Sequence, residues 1–279
     1  MIPRLAISLI VVVAGLSVTL SSLANDKFSH PGGVAQLTIP KSSSDTPEVK
    51  FGLNEPIVIE YLDYWRILVG LSLETLPGEY VVYIKSGVDG STVEYKKIVV
   101  KQNDYPFREY SDRNSIVNHH ATIKAANSFN ELDYSNTQQP SLPLRWPLDG
   151  SWSNNFGHKL YDTRLATLFT PNALFISATE LSTVVSPQSA IVSKIATSAP
   201  GVSTVYLDHG RGLYSILSGL SDITVEVGNG VVSGAVIGTL LANDEGALDK
   251  SISADQTLIW QTVINNAYVD PQVLTQLEP

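Results

Sequence analysis

The feature that most constrains this chain is a series of short β-type runs separated by turn signals. The runs are rich in Val, Ile and Tyr, and turn residues such as Pro56, Pro77-Gly78 and Asp89-Gly90 interrupt them. The first five are VAQLTI, IVIEYL, WRILVGL, EYVVYIK and TVEYKKIVV. Such runs favour strands over helices, and GVDGSTVEY is typical of a hairpin. The region from Val34 to about Val100 is therefore predicted to be an all-β module, a small sandwich.

The N-terminus has the features of an export signal. Arg4 precedes an apolar run from Leu5 to Leu20, and Ser22-Leu23-Ala24 is a small-x-small cleavage site. We expect a signal peptide over residues 1–24, with Asn25 as the mature N-terminus. The alternative is an uncleaved anchor, because an apolar stretch of about 19 residues can span a bilayer. Either way the sequence predicts an exported protein of the periplasm or cell envelope, with no stable membrane span once the signal is cleaved.

Length and charge narrow the possible partners. Without its first 24 residues the 279-residue chain keeps 255, enough for two modest domains. The formal net charge of −9 is spread along the chain and makes nucleic acid and anionic lipid surfaces poor partners. The chain has no cysteine, which excludes disulfides and thiolate zinc sites.

A polar segment, residues 104–143, separates two folded regions. It is rich in Asn, Ser and Gln, and it contains one helical candidate from Asn114 to Phe129. The apolar positions of that candidate match a 3.6-residue period only loosely. We predict a packed linker helix. The alternative is a movable segment that covers a groove in the second domain.

The second region resembles a known family. The segments that carry the resemblance are LRWPLDGSWSNNFGHKLYD, VSTVYLDHGRGLYSILSGL and TLIWQTVINNAYVDP, which follow the order and nearly the spacing of the LytM or lysostaphin-like peptidoglycan endopeptidases. DYWRILVGLSLETLPGEYVVYI is similar to the β-domain that precedes the peptidase domain in many members. The resemblance implies an N-terminal β-sandwich over 25–103 and a LytM-like antiparallel β-domain over 144–279.

The resemblance also implies a zinc site, and this chain lacks its ligands. Active members hold zinc with a histidine, an aspartate four residues later and the second histidine of an H-x-H strand; catalysis needs these donors because they bind the metal that activates water. In one alignment the first two positions fall on Asn172 and Ile176. In another, shifted by one residue, they fall on Pro171 and Phe175.

The remaining site positions are also substituted. A family histidine that orients the water falls on Gly219, and the H-x-H strand falls on Thr257, Leu258 and Ile259. Side chains alternate along a strand, so Thr257 and Ile259 are predicted to face the groove, with Leu258 and Trp260 behind. The resemblance therefore predicts no catalytic residue, no metal and no cofactor.

The five histidines do not rebuild a metal site in the sequence. His119 and His120 are adjacent on a predicted helix and point in different directions. His30 lies near the mature N-terminus, where we expect it to be solvated, and His158 is placed at most on the rim of the groove. His209 matches a family histidine that is not a ligand, which indicates a structural role.

The expected function is binding or regulation. The residues expected to line the groove are Phe156, Tyr161, Asn172, Gly219, Thr257, Ile259 and Tyr268. The resemblance to degenerate LytM proteins implies a regulator that activates wall amidases in peptidoglycan remodelling and cell division. A peptidoglycan-binding or scaffolding module is the alternative. An active zinc endopeptidase that cleaves peptidoglycan cross-links is a remote alternative.

Overall fold

The structure is a computed structural model. It describes residues 26–110, 132–133, 136–153, 155–163, 166–178, 182–199, 202–240 and 256–278. The predicted signal peptide and the helical candidate at 114–129 lie outside these residues.

The N-terminal region consists of two three-stranded antiparallel sheets. One has the strand order β1-β4-β3 and the other β2-β5-β6. The strands are β1 (Val34–Pro40), β2 (Glu48–Lys50), β3 (Ile57–Glu60), β4 (Tyr64–Gly70), β5 (Gly78–Ser86) and β6 (Thr92–Val100). β5 and β6 form the predicted hairpin, with Gly78 paired to Val100 and a short 3₁₀ turn, Val88–Gly90, at its tip.

Alternating burial packs the two sheets together. In β5, Val82 and Ile84 are fully buried, while Tyr83 between them is half-buried and Val81 before them is exposed. They pack with Trp65 and Ile67 of β4 in one apolar cluster between the sheets. This is the two-layer arrangement of a small sandwich, as the period-2 runs predict.

The C-terminal region is built on a ten-stranded antiparallel sheet. Its main path runs β16-β13-β14-β15-β18-β11-β8, and β12, β17 and β19 pair beside it. Its ten strands are β8 (Ser151–Ser153), β11 (Leu174–Ala178), β12 (Thr183–Val185), β13 (Ala190–Ala199), β14 (Val202–Gly210), β15 (Leu213–Ser221), β16 (Gly230–Val231), β17 (Val236–Leu240), β18 (Gln256–Ile264) and β19 (Ala267–Val269). Two further strands of this region, β9 (Lys159–Asp162) and β10 (Thr167–Phe169), pair with each other in a separate three-stranded sheet. The predicted all-β fold class is confirmed.

The sheet β1-β4-β3 is buried on both faces. One face belongs to the sandwich core, while Val34, Ile57 and Leu68 on the other face belong to the large cluster of the C-terminal region. Gly70 lies so close to Ile264 that an added Cβ would come within 2.9 Å of its side chain. The two regions therefore share one continuous core.

The segment between the two regions also contacts both. Strand β7 (Phe107–Tyr110) pairs in parallel with β9. Further on, the side-chain amide of Gln139 makes two hydrogen bonds to the backbone of Glu60. Its Oε1 accepts from the Glu60 N–H at 3.0 Å, and its Nε2 donates to the Glu60 carbonyl at 2.9 Å. The described parts of this segment are thus packed against the folded regions.

The chain closes on a short helix, α1 (Pro271–Thr275). The Asp270 carboxylate caps it by accepting the N–H of Gln272 at 2.9 Å, and proline occupies the first helical position. Val273 and Leu274 are buried in the shared core. No helix within the described ranges is long and apolar enough to cross a membrane.

Candidate functional site

Three positions that the resemblance assigns to the zinc site, Phe175, Thr257 and Ile259, lie on one face of the large sheet, where β15, β18 and β11 run side by side. Ile259 of β18 pairs with Ser218 on one side and with Phe175 on the other. Ile259, Phe175 and Ala173 form a small apolar cluster, and each is at most 3% exposed. A branched alkyl group and an aromatic ring therefore fill the floor of this face.

Ile176 lies on the opposite face. It pairs with Leu258, and both side chains belong to the main core with Trp260. The alignment that assigns the aspartate position to Ile176 therefore does not place that position on the same face as Ile259, because strand alternation turns the Ile176 side chain into the core. The shifted alignment fits better, since Phe175 shares the face with Ile259.

The rest of the face carries hydroxyl groups bonded to one another. Thr257 Oγ1 lies 3.2 Å from Ser177 Oγ, and Thr204 Oγ1 donates to Ser218 Oγ at 2.8 Å. Ser218 and Thr204 are buried, while Thr257 and Ser177 are half-buried. Neutral hydroxyls in such pairs are weak metal donors, but they satisfy each other's hydrogen-bonding capacity.

The resemblance assigns the family's water-orienting histidine to Gly219, and the backbone at Gly219 disfavours any side chain. Its φ is +93°, a left-handed conformation that L-residues rarely adopt. A Cβ at this position would come within 2.7 Å of the Thr257 carbonyl oxygen. The backbone at Gly219 therefore leaves no room for a side chain such as histidine.

Asn172 and Tyr268 lie further along the same face. Gln261 of β18, which is fully buried, donates from Nε2 to Asn172 Oδ1 at 2.9 Å. Tyr268 packs in an aromatic cluster with Tyr206, Tyr214 and neighbouring residues, and Leu132 of the linker packs against that cluster. Leu132 therefore packs over this part of the face.

Two of the remaining groove candidates differ in exposure. Phe156 is only 1% exposed, and its ring lies 2.5 Å from where a Cβ on Gly32 would be. It is an interior packing residue, so the expectation that it lines a groove is wrong. Tyr161 is half-buried on β9 and pairs with Leu168, so part of its side chain stays accessible.

These residues do not fit a zinc ion. Proline, phenylalanine, isoleucine and glycine have no side-chain lone pair to donate, and a threonine hydroxyl is a poor zinc ligand. Across the described part of the chain, no three His, Cys, Asp or Glu side chains cluster in a way that could hold a metal. We therefore derive no catalytic step through zinc.

Two histidines near the site have structural surroundings. His209 is fully buried, with Nδ1 3.0 Å from the Ser189 carbonyl and Nε2 2.9 Å from Ser215 Oγ, and burial lowers its pKa to about 4. His158 is 8% exposed, and burial followed by the charge of Arg108 lowers its pKa. His119 and His120 lie outside the described residues. His30, expected to be solvated, is half-buried and contacts Asn103 at 3.3 Å.

An accessible cleft opens beside the closed floor. It has a volume of about 860 Å³ and lies where the N-terminal sandwich, the linker and the large sheet meet. Asn172 and Tyr268, both expected from the sequence to line a groove, lie in its wall together with residues 72–77, 102–105, Gly157 and Lys159. The sequence did not indicate the other walls, because they come from segments far apart in the chain.

The wall of the cleft is built by close packing. Tyr105 donates from its hydroxyl to the Pro31 carbonyl at 2.8 Å, and its ring lies 2.4 Å from where a Cβ on Gly157 would be. The Phe-Gly step of the sequence motif thus allows the linker to approach the second region. Around this wall are amide side chains, the carboxylates of Glu74 and Asp104, and the ammonium group of Lys159.

Comparison with known proteins identifies the second region. Residues 170–271 match the sequence profile of peptidase family M23. No curated protein sequence gives a significant match to the chain.

Three solved structures are similar to this chain to different degrees. A Pseudomonas aeruginosa protein assigned to peptidase M23 is 22% identical, covers 88% of this chain and 95% of its own, and superposes with a TM-score of 0.65. Lysostaphin is 13% identical over 48% of this chain and 49% of its own, with a TM-score of 0.34. The SpoIIQ–SpoIIIAH pore-forming complex matches at 19% identity over 47% of this chain and 89% of the matched chain, with a TM-score of 0.36. The likeness to the first protein shows a shared fold across both regions.

Proposed function

Because its second region is a peptidase family M23 domain whose zinc positions carry non-ligand side chains, we propose that this chain is a non-catalytic regulator of peptidoglycan hydrolysis. The observation that carries the proposal is the site face itself, where Ile259 and Phe175 fill the floor and Gly219 cannot hold a side chain. A family domain that keeps its frame without its metal donors can still bind a partner, since shape and polar groups decide binding.

The partner we propose is a peptidoglycan amidase in the periplasm or cell envelope. The floor is too deeply buried to contact a partner, so the contact runs through the cleft that continues from it at Asn172 and Tyr268. Both regions of the chain line this cleft, and their shared core holds its walls in place. A preorganised cleft of mixed charge suits a polar segment of another protein.

The decisive experiment is a sacculus-digestion assay with the purified chain and periplasmic amidases. We expect no digestion by the chain alone, no stoichiometric zinc by mass spectrometry, and faster digestion when the amidase is present. Digestion by the chain alone with one zinc per chain would contradict the proposal. An absence of both binding and stimulation across the amidases would contradict it as well.

A matched pair of charge reversals tests whether the cleft makes the contact. Lys159→Glu changes a cleft residue, while Lys97→Glu changes an exposed residue on β6, outside the cleft residues. We expect Lys159→Glu to lower amidase stimulation about fivefold or more, because a like-charge contact weakens binding. Lys97→Glu should leave it unchanged. Equal effects of the two variants would argue against the cleft.

A peptidoglycan-binding module is the second candidate. The amide side chains of Gln102, Asn103, Asn172 and Asn266 in the cleft favour it, because each amide both donates and accepts hydrogen bonds, as peptide groups do. This function predicts co-sedimentation with purified sacculi in the absence of amidase. If Lys159→Glu and Tyr161→Asp leave co-sedimentation unchanged, the cleft and its rim do not bind peptidoglycan.

A further inference from the structure

A second cavity lies around Trp152, at the edge of the large sheet. Trp152 sits on β8, the edge strand of the large sheet, and pairs with Ile176. It therefore lies on the face of the sheet that elsewhere forms the core. Because the sheet ends at β8, its indole is 47% exposed instead of buried.

The exposed indole is held by two further tryptophans. Its ring centroid lies 5.5 Å from that of Trp146 in a stacked arrangement, and Trp146 meets Trp260 edge-on at 5.9 Å. Trp260 is fully buried in the core. Three of the four tryptophans in the chain thus form a continuous series from the core to the surface. Such contacts fix the orientation of the outermost ring.

The loop beside this indole is also held in place. The N–H of Val185 donates to the Pro147 carbonyl at 2.8 Å, and the N–H of Arg145 donates to the Pro187 carbonyl at 3.0 Å. Gly150 lies so close to β11 that a Cβ would come within 2.5 Å of the Ser177 carbonyl oxygen. The loop therefore forms a fixed wall of a cavity of about 490 Å³ next to the tryptophans.

The cavity combines an aromatic surface with polar groups. Its lining residues include Arg145, Asp149 and Thr183, all of which are exposed. Arg145 supplies N–H donors, Asp149 supplies acceptor oxygens, and Thr183 supplies a hydroxyl that can do both. A sugar ring has the complementary design, with an apolar C–H face that stacks on an indole and hydroxyl groups around its edge.

We propose that this cavity binds a pyranose sugar of a glycan, stacked on Trp152 and bonded at its edge by Arg145, Asp149 and Thr183. A volume of this size is typical of small-ligand sites. A protein partner fits it less well, because Leu148 in the same cavity is only 4% exposed and the apolar surface around Trp152 is small compared with a stable protein interface. The site is distinct from the interdomain cleft and shares no lining residue with it.

Tryptophan fluorescence tests the proposal on the full chain. Titration with tri-N-acetylchitotriose should shift the emission in a saturable manner, since Trp152 is the exposed member of the series. Trp152→Ala should weaken binding about tenfold, as expected for the loss of an aromatic stacking contact. Trp152→Phe should retain part of the affinity. Because the Trp152 variants lose the fluorescence signal of this residue, their binding is measured by isothermal titration calorimetry.

Polar variants and a matched aromatic control complete the test. Arg145→Gln and Asp149→Asn should each weaken binding several-fold without changing the thermal midpoint. Tyr95→Ala removes an exposed aromatic on β6, outside the cavity, and should leave binding unchanged.

The proposal is overturned if wild type shows no saturable binding at millimolar sugar, or if Trp152→Ala binds as tightly as wild type. Saturable binding of an apolar dipeptide such as acetyl-Leu-Leu-amide in place of the sugar would also overturn it. Amidase stimulation can be lost while sugar binding persists, and the reverse, so this proposal and the proposed function fail separately.

Discussion

At the residue scale, the positions that the resemblance assigns to the zinc site exclude a metal ligand in two ways. Ile259 and Phe175 are apolar groups that pack against each other on one strand face. Gly219 also involves the backbone, since its positive φ and its approach to the Thr257 carbonyl exclude a side chain. Putting the zinc ligands back one by one would therefore meet a steric barrier at this position.

Replacement of Gly219 by alanine tests that barrier. Gly219→Ala should lower the free energy of unfolding by about 2 kcal/mol or more, because the left-handed conformation and the contact with Thr257 both act against a Cβ. Gly228→Ala is the matched control: its φ is +89°, but nothing lies within 4 Å of its Cβ, so about 1 kcal/mol is expected. Urea denaturation measures both values, and equal losses would contradict the contact.

The buried His209 predicts a pH dependence of stability. Its folded pKa of about 4 lies below the ordinary value of 6.5, so the unfolded chain binds more protons between these two values. Stability contributed by neutral His209 is complete above pH 6.5 and is lost as the pH falls toward 4, by an amount on the order of 3 kcal/mol.

The measurement is urea denaturation of wild type and His209→Gln at several pH values. The difference between the two proteins should shrink from pH 7 to pH 4, and other titrating groups cancel in that difference. A difference that stays constant with pH would show that burial does not lower the pKa of His209.

At the element scale, the closing Val-Asp-Pro motif has a physical explanation in α1. Asp270 caps the helix with its carboxylate, Pro271 takes the first helical position, and the Asp270 N–H donates to the Gly32 carbonyl at 2.7 Å. The motif therefore both starts the helix and attaches it to the N-terminal region. Strand alternation works at the same scale, and it corrected the assignment of Ile176.

Substitution of the cap checks the first of these roles. Asp270→Ala should destabilise the chain by about 1 kcal/mol, because an N–H at the helix N-terminus loses its acceptor. Asp270→Asn should cost less, since asparagine is also a good N-cap. Thermal unfolding of the two variants beside wild type gives the comparison, and an identical loss for both would point to the charge instead of the cap.

At the scale of the whole molecule, the N-terminal and C-terminal regions share one core. The sheet β1-β4-β3 contributes one face to the sandwich and the other to the large cluster of the second region. Arg66 on this sheet is buried and bonds through Nε and Nη2 to Gln36 and through Nη1 to the Glu278 carbonyl near the C-terminus. The two regions should therefore unfold together.

Calorimetry tests this cooperativity. We expect a single unfolding transition for the full chain, and both Ile59→Ala and Leu258→Ala should lower its midpoint, because each removes a buried group from the same cluster. The loss should be about 2–5 kcal/mol for each variant. Two transitions, each moved by only one variant, would show that the regions are independent.

The sequence by itself determined the fold class and the faces of β18 on which Leu258 and Ile259 lie. These properties depend on residue chemistry and on local period, which are visible along the chain. It could not select between the two alignments around Asn172, because a shift of one residue changes the face but hardly changes the pattern.

Only the tertiary structure decided which of these residues are accessible. Burial depends on what packs above a side chain, and Phe156 and Ile259 are covered by groups distant in sequence. The interdomain cleft and the series Trp260, Trp146 and Trp152 arise in the same way, because their members come from different strands and loops. Contacts between remote segments are set by the packing of the whole core, so local pattern carries no record of them.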